Sequence, residues 1–381
     1  MQFKHIIGQE AVKQRLINTV KDNRVSHAQL FLGPEGSGSL ALAVAYAQYL
    51  SCEDKQPEDS CGVCASCRKY QKLAHPDLHF SYPFFAKDKN DTALTFIEQW
   101  REALLANPYL SLDIWRGYLD AENKQANINI AECHAIIKKL SLKPFESIYK
   151  VLILWLPEYL DKEGNSLLKI IEEPQPNTLF LLVAQSQDQI LNTILSRTQL
   201  VKIPSLTYDD IKQELMENQH QTELAASEIA YLSNGNMTEA LAMLNEETKS
   251  FHSLFVQWLR LCYSNKGPEI MSFVEQISKL GRENQKNFLK YGISFIRECC
   301  LIMAGAESLV HLPPPELDTA QKMTKVMNTA SAQAISAELE KAHYHVERNA
   351  NPKILFLDVS LQIVKVLNFK TLPQGTLYIP S

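Results

Sequence analysis

The sequence has no surplus of positive charge and no long apolar run. Its 381 residues contain 38 Lys and Arg against 43 Asp and Glu, a formal net charge of −5, so the chain as a whole is not a basic nucleic-acid binder. A stretch of about 18 apolar residues, which a membrane span requires, is absent. The first residues also lack the apolar segment of a secretory signal. We therefore expect a cytoplasmic protein that does not associate with membranes.

The cysteines are few and unevenly spaced. In the cytoplasm the eight cysteines should be reduced, and clustered ones bind metals more often than they form disulfides. Four of them, Cys52, Cys61, Cys64 and Cys67, follow the pattern C-x8-C-x2-C-x2-C. Four thiols at this spacing suit tetrahedral Zn²⁺, with no open coordination position for catalysis. The sequence predicts a structural zinc site; reduced core cysteines or a redox site are the alternatives.

Apolar segments that read as buried strands alternate with helical patterns in the first half of the chain. A glycine-rich loop follows the first strand, and a strong helix pattern follows the loop. This alternation predicts an α/β domain with a parallel sheet covered on both faces. After Thr207 only helical patterns remain. The predicted strands are residues 27–32, 151–156, 179–184 and a shorter one around 199–203.

The glycine loop has the frame of a phosphate-binding loop without its reactive side chains. Gly33, Gly36 and Gly38 are present. Such a loop also needs a Lys that reaches the phosphates, followed by Ser or Thr to hold Mg²⁺. Here Ser39 occupies the Lys position and Leu40 the Ser/Thr position. We therefore do not expect tight binding of Mg-ATP.

The next buried strand also ends without the acidic residues that nucleotide hydrolysis needs. An Asp that holds the metal and a Glu that polarises water should stand there. Trp155 and Leu156 take these two positions, and Glu158 is the first acid that follows. A solvated charge at the end of an element is the expected role of Glu158.

Residues 165–204 carry a family resemblance. The segment 165–174 reads NSLLKIIEEP, and ILSRTQ follows at 194–199. The chain resembles the bacterial DNA polymerase III clamp-loader subunits, a P-loop (AAA+) family in which a helix ends in L-x-x-L-E-E-P and an S-R-C motif follows. The segments 7–10 (IGQE), 27–31 (HAQLF) and 75–77 (HPD) are similar to the same family. The resemblance covers about the first 205 residues.

The resemblance implies roles for individual residues. Motor subunits of this family keep the loop Lys and the acids, whereas the delta-prime branch is often without a working nucleotide site, so the losses here point to that branch. Arg197 would act in trans as an arginine finger on a neighbour's ATP, although Thr198 replaces the Cys of S-R-C. A surface Arg that caps a helix is the alternative. Thr238 stands where the helical lid would carry a nucleotide-binding Arg.

The family also implies an organisation and partners. The expected domains are 1–204, an AAA+-like domain with a zinc module at about 52–67 and an insertion at about 81–128; 205–247, a helical lid; and 248–381, an all-α oligomerisation collar. Partners would be the clamp-loader ATPase subunits and a delta subunit, with the sliding clamp and primer-template DNA reached through the complex. We expect no intrinsic enzymatic activity, within a DNA-directed DNA polymerase holoenzyme that serves DNA replication.

Two other functions remain open at this point. An ATP-binding motor subunit of the same loader would need Lys and Ser or Thr at 39 and 40, which the chain lacks. A stand-alone DNA-binding scaffold on the same fold would need a basic face and would have no use for Arg197.

Overall fold

The first half of the chain forms a parallel sheet. A computed structural model describes residues 1–86, 88, 90–121, 125–244, 251–310, 312, 314–348 and 350–369. In these residues the strands are β1 (Ala28–Leu32), β2 (Leu78–Ser81), β3 (Lys150–Trp155), β4 (Thr178–Ala184) and β5 (Gln199–Lys202). They lie in the order β2-β3-β4-β1-β5, and neighbouring strands pair in parallel.

Alternate residues of the central strands pack on opposite faces of the sheet. In β3, Val151, Ile153 and Trp155 belong to one core, while Leu152 and Leu154 belong to the other. Both faces are therefore covered, which explains why the central strands are continuous apolar runs. The predicted fold class, an α/β domain with a parallel sheet and a glycine loop, followed by an all-helical region, is confirmed.

Helices cover both faces of the sheet, and one of them is central. All of α2 (Ser39–Ser51) is buried, because its Ala and Leu residues let it pack on every side. It therefore fixes the ends of the two loops that flank it. The α-helices up to residue 243 are α1 (Glu10–Lys21), α2 (Ser39–Ser51), α3 (Ala65–Gln71), α4 (Ile97–Ala106), α5 (Leu112–Tyr118), α6 (Ile130–Leu140), α7 (Leu168–Glu172), α8 (Asn192–Leu195), α9 (Tyr208–Glu217), α10 (Glu223–Leu232) and α11 (Met237–Met243).

The segment predicted as an insertion, 81–128, packs as part of the core. Its residues 87, 89 and 122–124 lie outside the described residues. Tyr82 stacks on Trp100 at 4.0 Å, and Trp115 meets Trp100 edge-on at 5.3 Å. Trp115 also donates its indole N–H to the carbonyl of Pro83. These aromatic side chains are fully buried, so they are core residues and not stacking platforms for bases.

The second half of the chain is helical. Its core is aromatic: Trp258 packs on Phe288 and Phe273 and donates its indole N–H to Ser360 Oγ at 2.8 Å. No helix in the described part of the chain is long and apolar enough to cross a membrane. The helices are α12 (Phe251–Ser264), α13 (Gly267–Ser278), α14 (Arg282–Met303), α15 (Pro314–Met323), α16 (Thr329–Glu347) and α17 (Pro352–Val364).

The chain divides into two compact units. The first contains residues 1–220 and 233–242, and the second contains 221–232 and the described residues from Met243 on. Helices of the predicted lid, 205–247, thus belong to both units: α9 and most of α11 to the first, and α10 to the second. The three-domain division stays a prediction, and residues 370–381 of its last domain lie outside the described residues.

Candidate functional site

The glycine loop joins β1 to the N-terminus of α2. Gly36 and Gly38 have φ of 73° and 85°, a conformation that side-chain-bearing residues rarely adopt. The N–H of Gly33 donates to the carbonyl of Ala184 at 3.1 Å, which fixes the loop to the end of β4. Ser37 and Ser39 are buried, and their hydroxyls are 2.8 Å apart. The loop is therefore a tight turn that depends on its glycines, and it carries a neutral pair of hydroxyls.

The space in front of this loop is filled with side chains. The remaining cavity is about 30 Å³, enough for roughly one water molecule, whereas pockets that hold small molecules measure about 300 Å³ or more. Leu40, Trp155 and Leu156 are each at most 5% exposed and line this cavity. Of the four residues that occupy the Lys, Mg²⁺ and acid positions, three are thus apolar and pack together around this cavity.

A segment from near the start of α11 closes the loop from outside. The side-chain oxygen of Asn236 lies 1.8 Å from the position that a Cβ on Gly36 would take. The N–H of Met237 donates to the carbonyl of Gly36 at 3.2 Å. Glu35 hydrogen-bonds the side chains of Asn236 and Gln185, and burial raises its pKa. The backbone of the glycine loop is therefore bonded to this protein's own residues.

Tyr109 is a part of this site that sequence reasoning missed. Its ring lies 3.1 Å from the position of a Cβ on Gly38, and its hydroxyl accepts the N–H of Ile7 at 2.8 Å. Its carbonyl accepts the hydroxyl of Thr238 at 2.5 Å. Thr238, in the position expected for the lid Arg, is buried and holds Tyr109 in place. No local pattern predicts such contacts, because Tyr109 is far from the loop in the sequence.

Glu158 connects the ends of two neighbouring strands. One of its carboxylate oxygens accepts the N–H of Gln185 at 2.6 Å and that of Ser186 at 2.9 Å. Burial raises its pKa, although these N–H groups act in the opposite direction. Glu158 therefore satisfies backbone donors beyond β4 and is more enclosed than the solvated end-of-strand charge that the sequence predicts.

Arg197 lies between α8 and β5, with its side chain about one-third exposed. Its Nε donates to Glu172 Oε2 at 3.0 Å. One terminal nitrogen donates to the carbonyl of Thr193 at 2.9 Å and to Ser196 Oγ at 3.3 Å. The guanidinium is thus held at the surface by one ion pair and by the end of a short helix.

The four clustered cysteines converge immediately after α2. Their sulfur atoms all lie within 4.8 Å of one another, and those of Cys61 and Cys67 are 3.9 Å apart. A tetrahedral site with Zn–S bonds near 2.3 Å requires sulfurs about 3.8 Å apart. Backbone N–H groups already point at three of the sulfurs: Cys61 donates to Cys52, Cys64 to Cys61 and Cys67 to Cys64, each at 3.3–3.4 Å.

The electrostatics of the cluster also suit a metal. Burial acts to raise the pKa of Cys61, but the N–H groups of Val63 and Cys64 outweigh it and lower that pKa to about 7. Burial raises the pKa of Cys52 and Cys67, so a cation is needed to hold these two as thiolates. The cysteines therefore form a closed donor set that fits one tetrahedral, sulfur-preferring metal ion.

His75 and Asp77 shape the loop that precedes β3. Asp77 is 1% exposed and accepts three consecutive backbone N–H groups, those of Phe145, Glu146 and Ser147, at 2.6–2.9 Å. Burial alone would raise the pKa of Asp77, but these donors outweigh it and lower the pKa. His75 Nδ1 accepts the N–H of Asp77.

These features define a class: a parallel α/β domain of the P-loop, AAA+-like type, whose loop is packed shut and which carries a four-cysteine module. The family model described as "DNA polymerase III, delta subunit" matches residues 8–207. That match covers more than half of the chain, and the chain belongs to this family.

Curated relatives agree with that family. The chain is 25% identical to the DNA polymerase III subunit delta' of Bacillus subtilis over 303 residues, which cover 78% of this chain and 79% of that protein. It is 26% identical to the subunit tau of the same organism, over 64% of this chain but only 37% of that protein. The chain thus spans most of the delta' relative and about a third of the tau relative.

Solved structures of similar proteins add little. The chain is 12% identical to the Bacillus subtilis DNA clamp loader delta protein, over 93% of this chain and 99% of that one, with a TM-score of 0.33. It is 15% identical to a Thermotoga maritima RuvB mutant, over 62% and 60%, with a TM-score of 0.35. Scores this low support no conclusion about function.

Proposed function

We propose that this protein is a delta-prime-like, non-catalytic subunit of the DNA polymerase III clamp loader. Its family and its curated relatives support the assembly. The packed glycine loop supports the non-catalytic role. In that role the chain would act in the cytoplasm with the ATPase subunits and a delta subunit, and would reach the sliding clamp and primed DNA through the complex.

The observation that carries the proposal is the closed glycine loop. Cradling a phosphate chain requires free backbone N–H groups, a Lys and a metal ligand. Here Leu40 and Trp155 fill the space, and Asn236 lies against Gly36. To admit a nucleotide the protein would have to expel several buried apolar groups, each at a cost of about 1.5–3 kcal/mol. We therefore expect no useful affinity for Mg-ATP.

Calorimetric titration of the full chain with Mg-ATP tests this part of the proposal. We expect no binding at micromolar concentrations and no phosphate release. A purified motor subunit of the same organism, titrated in parallel, is the positive control. Micromolar binding with turnover by this chain would favour the rival function, an active motor subunit.

Arg197 is the residue through which the chain would still take part in hydrolysis. A cation brought to the γ-phosphate of a neighbour's ATP stabilises the charge that develops in phosphoryl transfer. In the free chain Glu172 neutralises Arg197 at 3.0 Å. Because this pair is partly exposed it is weak, so a triphosphate with several negative charges could take its place. Arg197 would then exchange one anionic partner for another on assembly.

The finger role can be tested in a reconstituted loader in which only the neighbouring motor subunit keeps its loop Lys. Arg197→Ala should slow single-turnover hydrolysis at that site by roughly 10³-fold. Lys202→Ala removes an exposed cation of nearby β5 and should leave the rate unchanged. An unchanged rate with Arg197→Ala in an intact complex would remove the finger role and leave the rest of the proposal standing.

The cysteine module would hold a structural Zn²⁺. Its four sulfurs leave no position for water or substrate, so the metal would contribute folding free energy and not catalysis. Metal analysis of freshly purified protein should give one equivalent of zinc per chain. A value clearly below one would contradict this assignment.

The second rival, a stand-alone DNA-binding scaffold, has less support. It needs a basic surface, whereas the net charge is −5. A pull-down with purified motor and delta subunits separates the two possibilities, because a scaffold would bind DNA without them.

A further inference from the structure

Helix α3 begins within the cysteine module. Cys64 is its N-cap residue, and the Cys64 sulfur accepts the N–H of Cys67 in the first turn. The helix has only seven residues, and a helix that short is not stable by itself. Its position therefore depends on its start, where two of the four clustered sulfurs lie, and on the contacts of its other side chains.

The last turn of α3 is paired with the loop between α6 and β3, residues 141–149. Lys69 Nζ lies 2.7 Å and 2.5 Å from the two carboxylate oxygens of Glu146. The Lys69 side chain is 43% exposed and that of Glu146 30%, so this ion pair alone is weak. It nevertheless joins the cysteine module to a loop that is distant in the sequence.

A second connection runs through buried side chains. The ring centroids of Tyr70 and His75 are 4.7 Å apart, and both residues are buried. His75 Nδ1 accepts the N–H of Asp77, which leaves the imidazole proton on Nε2, and Nε2 lies 3.1 Å from Glu146 Oε1. Tyr70 of α3 thus contacts the residue that lies against both Asp77 and Glu146.

Asp77 in turn holds the backbone of the loop. Its carboxylate accepts the N–H groups of Phe145, Glu146 and Ser147 at 2.6–2.9 Å. The side chains of Phe145 and Ile148 are 82% and 66% exposed, so this part of the loop gains little from apolar burial. Its shape depends on polar contacts, and these come from residues on α3 or directly after it.

The beginning of the same loop has a separate support. Lys150 is buried, and its Nζ donates to the carbonyls of Lys139, at 3.2 Å, and of Leu142. The N–H of Ser141 donates to the carbonyl of Ile137 at 3.0 Å, at the end of α6. Neither support involves α3 or a cysteine. The two parts of the loop should therefore respond differently to a change in the cysteine module.

We propose that metal binding at the cysteine module fixes the shape of residues 145–147 through α3. When the four sulfurs are held together, the start of α3 is fixed, and Lys69 and Tyr70 keep Glu146 and His75 in place. Without the metal, α3 would lose its anchored start and these contacts would loosen. Metal occupancy would thereby control the shape of a surface loop that contains no metal ligand.

The inference rests on the zinc assignment made under the proposed function, but it is independent of the clamp-loader role. The two can therefore fail separately. A protein that binds Zn²⁺ but no motor or delta subunit would refute the proposed function and leave the link to the loop intact.

Hydrogen exchange of the full chain, measured at short times when local opening dominates, tests this link. Protein with one equivalent of Zn²⁺ is compared with protein stripped by a chelator, and with stripped protein to which Zn²⁺ is returned. Exchange at residues 145–147 should be at least about tenfold faster without zinc and should slow again when zinc is returned. The amide of Ser141 is the internal control and should not change.

The variant Lys69→Met separates the link from the metal site. It should speed exchange at residues 145–147 by roughly threefold, as expected for the loss of a partly exposed ion pair, while the zinc content stays at one equivalent. Lys72→Met is the matched control, because Lys72 is an exposed residue directly after α3. It should change neither the exchange nor the zinc content.

Four results would overturn the inference. A protein that binds no Zn²⁺ would refute both the zinc assignment and the link. Zinc binding with unchanged exchange at residues 145–147 would refute the link alone. Equal acceleration at Ser141 would mean that the metal supports the whole first unit and has no specific connection to the loop. Unchanged exchange in Lys69→Met would show that the route through α3 is wrong.

Discussion

The two ends of α2 carry two loops that differ in their chemistry. The glycine loop at its N-terminus keeps its glycines but has neutral or apolar side chains where a nucleotide site has charges. The cysteine module at its C-terminus keeps a complete set of four ligands within 4.8 Å. Both are supported by the same fully buried helix. Packing alone can thus maintain the backbone of a glycine loop that lacks phosphate-binding side chains, whereas a metal site requires every one of its ligands.

The difference has a simple physical origin. Gly33, Gly36 and Gly38 still make the close approaches that the fold needs, since each would clash with or crowd a neighbour if it carried a Cβ. The cysteines have no comparable packing reason to converge, because four sulfurs without a metal contribute little stability. The glycine loop is thus explained by the core around it, whereas the cysteine module is explained by the metal ion that its four sulfurs could bind.

Loss of one cysteine ligand should have the largest effect. Cys67→Ser should abolish stoichiometric zinc and destabilise the first unit by about 3–5 kcal/mol, since metal binding contributes to folding. Differential scanning calorimetry with metal analysis measures both. Cys300→Ser, outside the cluster, should change stability by less than about 1 kcal/mol. Equal effects of the two substitutions would mean that the cluster holds no metal.

Gly36→Ala should have the next largest effect. Gly36 has φ of 73°, and its Cβ would overlap Asn236, so we expect a loss of about 2–3 kcal/mol in the free energy of unfolding. The control is Gly117→Ala, because Gly117 lies in α5 with open space around it and should gain a few tenths of a kcal/mol. Urea denaturation compares the two. A tolerated Gly36→Ala would show that the glycine loop is open and not packed.

Asp77→Asn tests how much the charge of Asp77 stabilises the loop that precedes β3. It should cost about 2 kcal/mol at pH 7, because three N–H groups lose a charged acceptor. The folded-state pKa of Asp77 is lowered, so its stabilisation is present at neutral pH and is lost as pH falls through that pKa. The gap between parent and variant should therefore shrink below about pH 4. A gap that is constant from pH 7 to pH 3 would contradict a role for the charge.

The smallest expected effect is that of placing a Lys and a Thr at positions 39 and 40, where a nucleotide-binding loop carries them. The double variant Ser39→Lys, Leu40→Thr places the phosphate and Mg²⁺ groups back in the loop, but Trp155, Leu156 and Tyr109 still line the space. We expect no shift of the melting temperature with millimolar Mg-ATP. A clear shift would mean that side-chain chemistry alone was lost and that the packing is not decisive.

Local patterns were sufficient for much of the fold. Four of the five strands, the helix after the glycine loop and the cysteine cluster were predicted, because continuous apolar runs, glycines and short cysteine spacings are local signals. The strand β2 was missed. It has only four residues, its His79 interrupts the apolar run, and an aromatic-rich segment with no clear period follows it.

The contacts that close the site could not be predicted in this way. Tyr109 and Asn236 reach the glycine loop from positions about 70 and 200 residues away in the sequence, and neither belongs to a motif. The sequence indicated that the charged groups were absent from the loop. It gave no sign that other parts of the chain had occupied their place.

The close packing around the glycine loop also limits which single substitutions the protein can tolerate there. A Lys introduced at position 39 would enter a space lined by Trp155 and Leu156, and a smaller residue at 155 would leave a hole in the core beside Trp100. Either single step lowers stability before any nucleotide can bind. Building a nucleotide site here would therefore need several coordinated replacements, because no single one would both bind nucleotide and keep the core packed.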